Sequence, residues 1–282
     1  MLDQHMHSAH SFDGQAPVRE LCARAVTLGL AGIAITDHID QVATPALFPD
    51  FTPDKLAATA RGSSADTLAA RSEFAGQLQV LRGVELGQAL HNRALSEFLL
   101  HTYDYDVVIG SIHNLRATDD FYFMHYQSTQ QAHDLLRQYF DELLDLLRWG
   151  DFDILAHLTY PLRYMVGRDG IPVELSLFSA QIDEILTLVA QSGKALEINC
   201  SGLRQEIGDT LPGEDIVRHF RGLGGQYITL GSDAHRTKDV GFGLDTGAQI
   251  AQRCGFETLT VFQNRQPTQV PFGTWTGQKW TV

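Results

Sequence analysis

The chain has 282 residues, of which 44% are hydrophobic and 20% are charged, which is ordinary for a globular protein with one large core. Its formal net charge of −13 argues against a nucleic-acid-binding surface, because phosphate backbones require a basic face. We expect neither a membrane span nor a signal peptide from the apolar patterning. Three widely spaced cysteines, Cys22, Cys200 and Cys254, argue against a disulfide framework and predict a location in the reducing cytoplasm.

Short apolar runs rich in valine, isoleucine and leucine alternate with longer segments of helical spacing. Runs of this kind predict strands that are buried on both faces. Their alternation with helices predicts a parallel α/β barrel that occupies residues 1–282 as a single domain. The predicted strands are residues 2–7, 32–36, 77–86, 106–112, 152–156, 195–199 and 226–231.

Four segments between these strands predict helices, at residues 17–28, 53–76, 92–101 and 128–149. Pro17 suits the first turn of its helix, and Gly29 suits a C-cap. In the second helix, residues 62–64 (Gly-Ser-Ser) predict a break in the middle. The long polar and aromatic loop 114–126 is typical of a segment that covers a substrate. A further apolar run at 258–262 predicts either an eighth strand or an edge extension.

Metal-binding side chains occur just where the predicted strands end. Because the carboxyl ends of parallel strands meet at one rim of a barrel, these side chains should converge. In the first group, His5 and His7 are two residues apart and so point to the same side of a strand. Imidazole and carboxylate ligands without thiolate suit Zn²⁺, Mn²⁺ or Fe²⁺. The strand-end side chains are His5, His7, Asp13, Asp37, His38, Glu85, His113, His157, Glu197, Asp233 and His235.

The segments that carry these residues resemble the polymerase-and-histidinol-phosphatase (PHP) superfamily. Six of its motifs appear in the expected order, namely HMHSAHSFDG, ITDHID, GVELG, GSIH, ILAH and GSDAH. Two further segments, EINCSGLRQE and GSDAHRTKDVG, and an arginine soon after His157 are similar to the monofunctional histidinol-phosphate phosphatases within it. The resemblance implies a distorted (β/α)7 barrel with the metal site at the C-terminal ends of the strands.

The resemblance also implies a trinuclear centre of divalent metal ions. One ion would be bound by His5, His7, Glu85 and Asp233, and a second by Asp13, His38 and His235. A third ion would take His113 and His157 and share Glu85 as a bridge. We expect Asp37 to orient an imidazole rather than bind an ion. His10 and Asp40 match no ligand position, and we interpret them as rim residues.

In related phosphatases, arginines complete the phosphate site, and the matching residues here are Arg163 and Arg204. A guanidinium matches two phosphate oxygens. The catalytic set predicted from the resemblance is therefore Glu85, Asp233, His235, Arg163 and Arg204. Substrate binding would add Asn199 and Ser201, which could hold the loop of Arg204, and Asp119 and Asp120, which could read the positive charge of the substrate. Where relatives often have His-Leu-Asp, this chain has Thr159.

These expectations favour a cytoplasmic enzyme of histidine biosynthesis that hydrolyses L-histidinol phosphate to L-histidinol and phosphate. Divalent ions of this kind activate water as a nucleophile and neutralise the phosphoryl charge. The first alternative is a PHP phosphoesterase acting on another phosphomonoester, such as a sugar phosphate, a nucleotide or a phosphotyrosyl protein. The second, from another class, is a binding or regulatory module with a decayed site, which would purify without stoichiometric metal. The sequence leaves the metal identity and the oligomeric state open.

Overall fold

A seven-stranded parallel sheet forms the centre of the protein in a computed structural model that describes residues 1–41, 51–116 and 118–272. The strand order follows the chain from β1 to β7. Beyond β1, the Gln4 N–H donates to the Leu230 carbonyl at 3.0 Å, and Met6 pairs with Ala234 in a parallel bridge. The strands are β1 Leu2–Asp3, β2 Gly32–Ile35, β3 Gln79–Gly87, β4 Val107–Ser111, β5 Ile154–Leu155, β6 Ala195–Asn199 and β7 Ile228–Gly231.

This closure of the first strand segment on the last confirms the predicted distorted (β/α)7 barrel. Two strands are shorter than the runs that predicted them. β1 and β5 contain only 2 residues each, because the chain leaves regular pairing before His5 and His157 turn toward the rim. The regular ladder therefore ends two residues before His5 and His157, whereas β3 continues in regular pairing through Glu85.

Helices surround the barrel, and capping residues define several of their ends. The side chains of Asn92 and Ser128 accept N–H groups at the starts of α3 and α4, while Gly150 ends α4 in a left-handed conformation with φ 78°. The described helices are α1 Val18–Thr27, α2 Pro53–Glu73, α3 Arg93–Thr102, α4 Thr129–Trp149, α5 Ser179–Gln191, α6 Glu214–Gly222 and α7 Leu244–Arg253.

The predicted break in the second helix is wrong, since α2 runs unbroken from Pro53 to Glu73. The small residues at its centre serve packing instead. A Cβ on Gly62 would lie 2.7 Å from the His10 ring, and the buried Ser63 donates its hydroxyl to Asp37 at 2.5 Å. Small side chains let α2 approach the segments that follow β1 and β2. The sequence also predicts a long polar loop ahead of α2, through Pro45, Pro49 and Pro53, and residues 42–50 lie outside the described residues.

A hairpin closes the barrel at the N-terminal ends of its strands. It consists of β8 Thr258–Gln263 and β9 Gln266–Pro271, which pair antiparallel as a separate sheet. Residues 258–262 therefore form a strand, but not an eighth barrel strand. The Gln4 side chain donates to the Thr260 carbonyl at 2.6 Å, and the buried Phe262 packs with the residues that fill the barrel interior.

Two expectations from composition can be compared with the structure. All three cysteines are free and buried, as an arrangement without a disulfide framework requires. Within residues 1–41, 51–116 and 118–272, no helix has the length and apolar character needed to cross a membrane.

Candidate metal centre

The structure brings all nine predicted metal ligands together at the C-terminal rim of the barrel. Seven of them are buried, while Asp13 and His235 lie partly exposed at the mouth. Ring centroids are 5.7 Å apart for His5 and His157 and 4.2 Å apart for His7 and His235. The nine residues are His5, His7, Asp13, His38, Glu85, His113, His157, Asp233 and His235.

Glu85 occupies the centre of this group, and its two carboxylate oxygens face different imidazoles. Oε1 lies 3.1 Å from His113 Nε2 and 2.9 Å from His157 Nε2. Oε2 lies 3.1 Å from His5 Nε2 and 3.0 Å from His38 Nδ1. Ligands of one tetrahedral ion at about 2.1 Å are separated by roughly 3.3 Å, so both oxygens have the spacing of ligands that share ions. This arrangement suits a bridging carboxylate.

The second half of the cluster lies around Asp233 and Asp13. His7 Nε2 is 3.4 Å from Asp233 Oδ1, and His235 Nε2 is 3.0 Å from Asp13 Oδ2. His38 lies further from Asp13, at 3.9 Å. The ligand atoms of His7, His38 and His235 are within 4.8 Å of one another, which is close enough for one ion to reach all three.

Unsatisfied polar atoms show that the cluster fits cations. His7 Nε2, His38 Nδ1 and Asp40 Oδ1 are buried and make no hydrogen bond of good geometry, although charged or ring atoms lie 3.0–3.4 Å away, which is costly unless another group binds them. Burial lowers the pKa of His113, but the carboxylates of Asp40 and Glu85 more than offset this and raise it to about 10. The site thus has excess negative charge and imidazole nitrogens directed at one another, which is the arrangement that divalent ions complete.

Asp40, which we interpreted as a rim residue, is instead buried inside the cluster. Its oxygens lie 3.3 Å from His38 Nδ1 and 2.8 Å from His113 Nδ1. These three side chains could together hold an ion. The signal for it was available, because Asp40 follows His38 at the spacing that relates His5 and His7 and so shares its side. The rim interpretation of His10 agrees with the structure, in which it pairs with Asp66 at 2.8 Å.

Asp37 hydrogen-bonds serines rather than an imidazole, so it could orient an imidazole only through another residue. Its carboxylate accepts the N–H and hydroxyl of Ser8, at 2.6 and 2.7 Å, and the hydroxyl of Ser11 at 2.8 Å. Ser11 Oγ in turn lies 3.4 Å from His7 Nδ1. Asp37 therefore fixes the segment after β1 and reaches His7 only through Ser11, because its side chain points away from that of His38.

Glu197, a strand-end carboxylate that is not among the nine predicted ligands, contacts two of them. Its Oε1 lies 2.7 Å from His5 Nδ1, and its Oε2 accepts the backbone N–H of His157 at 2.8 Å. Both contacts are buried. A carboxylate behind a metal-binding imidazole fixes the tautomer and the ring orientation, and Glu197 is placed to do this for His5.

The two predicted arginines lie beside the cluster and are linked through Asp233. Arg163 Nη2 donates to Asp233 Oδ2 at 2.8 Å and to Asn199 Oδ1 at 3.3 Å. Arg204 donates to the carbonyls of Ser232 and Asp233, both at 2.6 Å. Burial alone would raise the pKa of Asp233, but the Arg163 guanidinium and nearby imidazoles hold it well below its usual range. Arg163 Nε remains buried without a partner.

Asn199 and Ser201 fix the start of the short 3₁₀ turn that carries Arg204. Asn199 Oδ1 accepts the Ser201 N–H at 3.1 Å and its hydroxyl at 2.5 Å. The Ser201 hydroxyl also lies 3.2 Å from Asp233 Oδ2. These contacts link the start of the turn to Asp233, while the role of Asn199 and Ser201 in holding the loop stays a prediction.

A cavity of about 550 Å³ opens onto the cluster. One wall is aromatic, with Tyr122, Phe123, Tyr160 and Tyr164. Asp120 lies in this wall and accepts the Tyr160 hydroxyl at 2.9 Å; of the described residues, it is the one carboxylate that lines the cavity outside the predicted ligand set. Asp119 is exposed and does not line the cavity, because the loop turns it outward. Its predicted substrate contact therefore lacks support.

Comparison with known proteins places this site in a family. The PHP domain family model matches residues 3–201. A probable histidinol-phosphatase of Deinococcus radiodurans is 30% identical over 94% of this chain and 98% of its own, and a histidinol-phosphatase of Lactococcus lactis is 26% identical over 93% of this chain and 94% of its own. The chain therefore belongs to the PHP domain family, and within it to the histidinol-phosphatase group.

A solved structure confirms the fold. The crystal structure of histidinol phosphate phosphatase from Lactococcus lactis, complexed with zinc, L-histidinol and phosphate, superposes with a TM-score of 0.77 at 24% sequence identity. The alignment covers 95% of this chain and 98% of that one. The distorted barrel described above is therefore the fold of that protein.

Proposed function

We propose that this protein is a metal-dependent phosphomonoesterase that hydrolyses L-histidinol phosphate to L-histidinol and phosphate. The observation that carries the proposal is the site itself. A cluster of imidazoles and carboxylates around Glu85, suited to binding cations, lies beside two guanidinium groups in one cavity. Full-length curated relatives described as histidinol-phosphatases support the choice of substrate. We include in the proposal a single domain over residues 1–282, a cytoplasmic location and a role in histidine biosynthesis.

For the metals we propose three divalent ions, Zn²⁺, Mn²⁺ or Fe²⁺, held by the nine residues that converge at the rim. The division of the Glu85 oxygens between two sets of imidazoles supports a shared, bridging position. Asp40 is an added candidate ligand beside His38 and His113. When bound, the ions supply a water-derived nucleophile near neutral pH and neutralise charge on the phosphoryl group. Zinc in the Lactococcus lactis protein is in keeping with this set.

The arginines would bind the phosphoryl oxygens as charge builds on them. Arg163 is buried against Asp233 and has a free Nε–H, and Arg204 lines the cavity and donates to the Asp233 carbonyl. Preorganised donors of this kind stabilise a transition state without further reorganisation. Asp233 and His235 contribute to the same end by holding their part of the cluster against the arginines.

Recognition of the amino alcohol would fall to Asp120 and the aromatic wall. Histidinol carries an ammonium group and an imidazole, which suit a carboxylate and aromatic faces. Asp120 is held by the Tyr160 hydroxyl and by the Tyr122 N–H at 2.7 Å, so its position is fixed before substrate binds. We assign this role to Asp120 alone, since Asp119 points away from the cavity.

The test is a panel of phosphomonoesters assayed with Mn²⁺, Zn²⁺ or Fe²⁺ added to the metal-free protein. We expect kcat/KM to be highest for L-histidinol phosphate, ahead of sugar phosphates, nucleotides and phosphotyrosyl peptides. A higher kcat/KM for one of those substrates would assign the site to another phosphoesterase of the family. Absence both of stoichiometric metal and of turnover would support the decayed binding module instead.

A further inference from the structure

The segment 120–126, which carries part of the aromatic wall, is anchored by the buried side chains of Phe121 and Tyr126, but residues between these two anchors pack less well. Tyr122 and Phe123 line the cavity yet remain 56% and 66% exposed, so packing does not fix them. Within the segment, the Phe123 N–H donates to the Asp120 carbonyl at 2.9 Å. The carbonyls of Tyr122 and Met124 take their hydrogen-bond donor from outside the segment.

Arg168 provides this donor through a fork of hydrogen bonds. Its Nη1 donates to the Tyr122 carbonyl at 2.5 Å, and its Nη2 donates to the Met124 carbonyl. The same guanidinium is paired with Asp169, whose Oδ1 lies 2.8 Å from Arg168 Nε. Asp169 Oδ2 accepts the Tyr126 N–H at 2.8 Å. Arg168 and Asp169 therefore hydrogen-bond the backbone of the segment at Tyr122, Met124 and Tyr126.

The anchor itself is rigid and continuous with the phosphate side of the site. Arg168 ends a π-helical turn, Arg163–Arg168, that begins at the arginine bonded to Asp233. The turn packs so closely that a Cβ on Gly167 would lie 2.8 Å from the Ile207 nitrogen. Tyr164, inside the turn, lines the cavity and lies beneath the Arg168 guanidinium at 5.2 Å. Such π-helical turns are frequent at functional sites.

We infer that Arg168 is a positioning residue that sets the specificity of the cavity by holding the segment 120–126 against the phosphate-binding turn. It does not line the cavity, so it acts through Asp120, Tyr122 and Phe123. One turn thereby fixes the spacing between the phosphoryl site and the wall that receives the rest of the substrate. The inference rests on the proposed function for the identity of that substrate, but not for the contact between Arg168 and the loop.

The experiment compares Arg168→Met, Arg168→Lys and wild type in the metal-loaded protein. In Arg168→Met we expect KM for L-histidinol phosphate and Ki for L-histidinol to rise roughly tenfold, the scale of one charge-assisted hydrogen bond. Ki for inorganic phosphate should stay within about twofold, since phosphate reaches only the metals and arginines. Arg168→Lys keeps the charge but loses the forked pair of hydrogen bonds, so its KM and Ki values should lie between those of wild type and Arg168→Met.

Arg148→Met is the matched control, because Arg148 is likewise an arginine held by ion pairs, with Asp145 and Glu184, but it contacts no residue of the segment 120–126 and does not line the cavity. It should change none of the three constants. Hydrogen exchange gives a second measurement that does not depend on the substrate. The amides of residues 121–126 should exchange faster in Arg168→Met than in the control, with unchanged metal content.

An equal rise in Ki for phosphate and for histidinol would overturn the inference, since it would show general damage to the site. Unchanged exchange of residues 121–126 would overturn it as well. If wild type showed no preference for L-histidinol phosphate, the proposed function would fail. The exchange measurement would then still decide whether Arg168 positions the loop.

Discussion

The two ends of the barrel both bury charged side chains, but they balance the charge differently. At the N-terminal end, Arg265 lies 3.1 Å from Asp153 Oδ2 and 2.6 Å from Asp151 Oδ1. Arg71 pairs with Asp106, and the Lys194 ammonium donates to the carbonyls of Gly150 and Phe152 at 2.6 and 2.7 Å. Each charge at this end therefore has a partner supplied by the chain.

At the C-terminal end, the chain does not supply enough positive charge. Among residues 1–41, 51–116 and 118–272, five carboxylates lie with six imidazoles, and one guanidinium, that of Arg163, is bonded directly to one of these carboxylates. Imidazole nitrogens that lack partners face these carboxylates. Buried charges must be paired or must coordinate metals. The N-terminal end of the barrel is therefore structural, whereas the C-terminal end requires bound ions. The five carboxylates are Asp13, Asp40, Glu85, Glu197 and Asp233.

Removal of the metals should affect the C-terminal end of the barrel and leave the N-terminal end unchanged. Chelation should abolish phosphatase activity, because the water-activating groups are lost. Thermal stability should fall as well, by about 3 kcal/mol or more, since ions that bind the native state at 100 times their dissociation constant contribute that much. Activity assays and calorimetry before and after addition of Mn²⁺, Zn²⁺ or Fe²⁺ would measure both effects. Full activity in metal-free protein would contradict the proposed centre.

Glu85→Ala should have the next largest effect, because both oxygens of this carboxylate face imidazoles. We expect loss of metal and a fall in kcat of roughly 1000-fold, given the several kcal/mol that metal ions contribute to the transition state. Glu85→Gln should retain some metal but little rate. Metal analysis by mass spectrometry, together with steady-state kinetics, measures both. Near-normal turnover in Glu85→Ala would show that the residue is structural.

Arg163→Ala and Arg204→Ala should leave the metals in place, because neither residue is a predicted ligand. Each substitution should lower kcat/KM, and the transition-state stabilisation lost should be roughly 2–4 kcal/mol, the usual scale for removal of one transition-state donor. The two arginines contact Asp233 differently, because Arg163 donates to the Asp233 carboxylate and Arg204 donates to the Asp233 backbone carbonyl. A double variant whose loss is less than the sum would indicate that the two arginines act as one unit. Loss of metal in either variant would mean that it acts through Asp233 instead.

The fold and most of the rim were predictable because their signals are local. Strand-like runs and the side chains that follow them are adjacent in the chain, so barrel geometry alone brings His5 and His113 together. Asp40 could have been found from its spacing with His38. The short β1 and β5 were less predictable, because the loss of regular pairing there depends on contacts with other strands.

What could not be predicted involves partners distant in the sequence. Residues 62–64 suggested a helix break by propensity, whereas their small size serves contacts with His10 and Asp37. Likewise, Arg204 and Arg168 donate to backbone carbonyls, and every residue carries a carbonyl, so no sequence pattern marks the acceptor. Asp119 and Asp120 are neighbours of the same type, and only the turn of the loop distinguishes the one that faces the cavity.

At the opposite end, Arg265→Met should lower stability without changing activity. Removal of the guanidinium takes the nearest cation from Asp151 and from the buried Asp153, which costs less than breaking a fully buried pair because Arg265 is partly exposed and Asp153 still accepts the Val108 N–H. We expect a loss of about 1–3 kcal/mol in the free energy of unfolding. Denaturant titration measures this, and kcat and KM serve as the control. A change in metal content would show that the two ends are coupled.

The smallest expected effect concerns substrate charge, which Asp120→Asn tests. Asparagine keeps the shape and can still accept the Tyr160 hydroxyl, but it no longer attracts an ammonium group. KM for L-histidinol phosphate should rise roughly fivefold to tenfold, about 1 kcal/mol for an ion pair in a partly open site, while KM for an uncharged phosphomonoester of similar size should change little. Asp119→Asn is the matched control, because Asp119 is exposed and outside the cavity. Equal effects on both substrates, or an equal effect of Asp119→Asn, would show that Asp120 does not bind the positively charged group of histidinol.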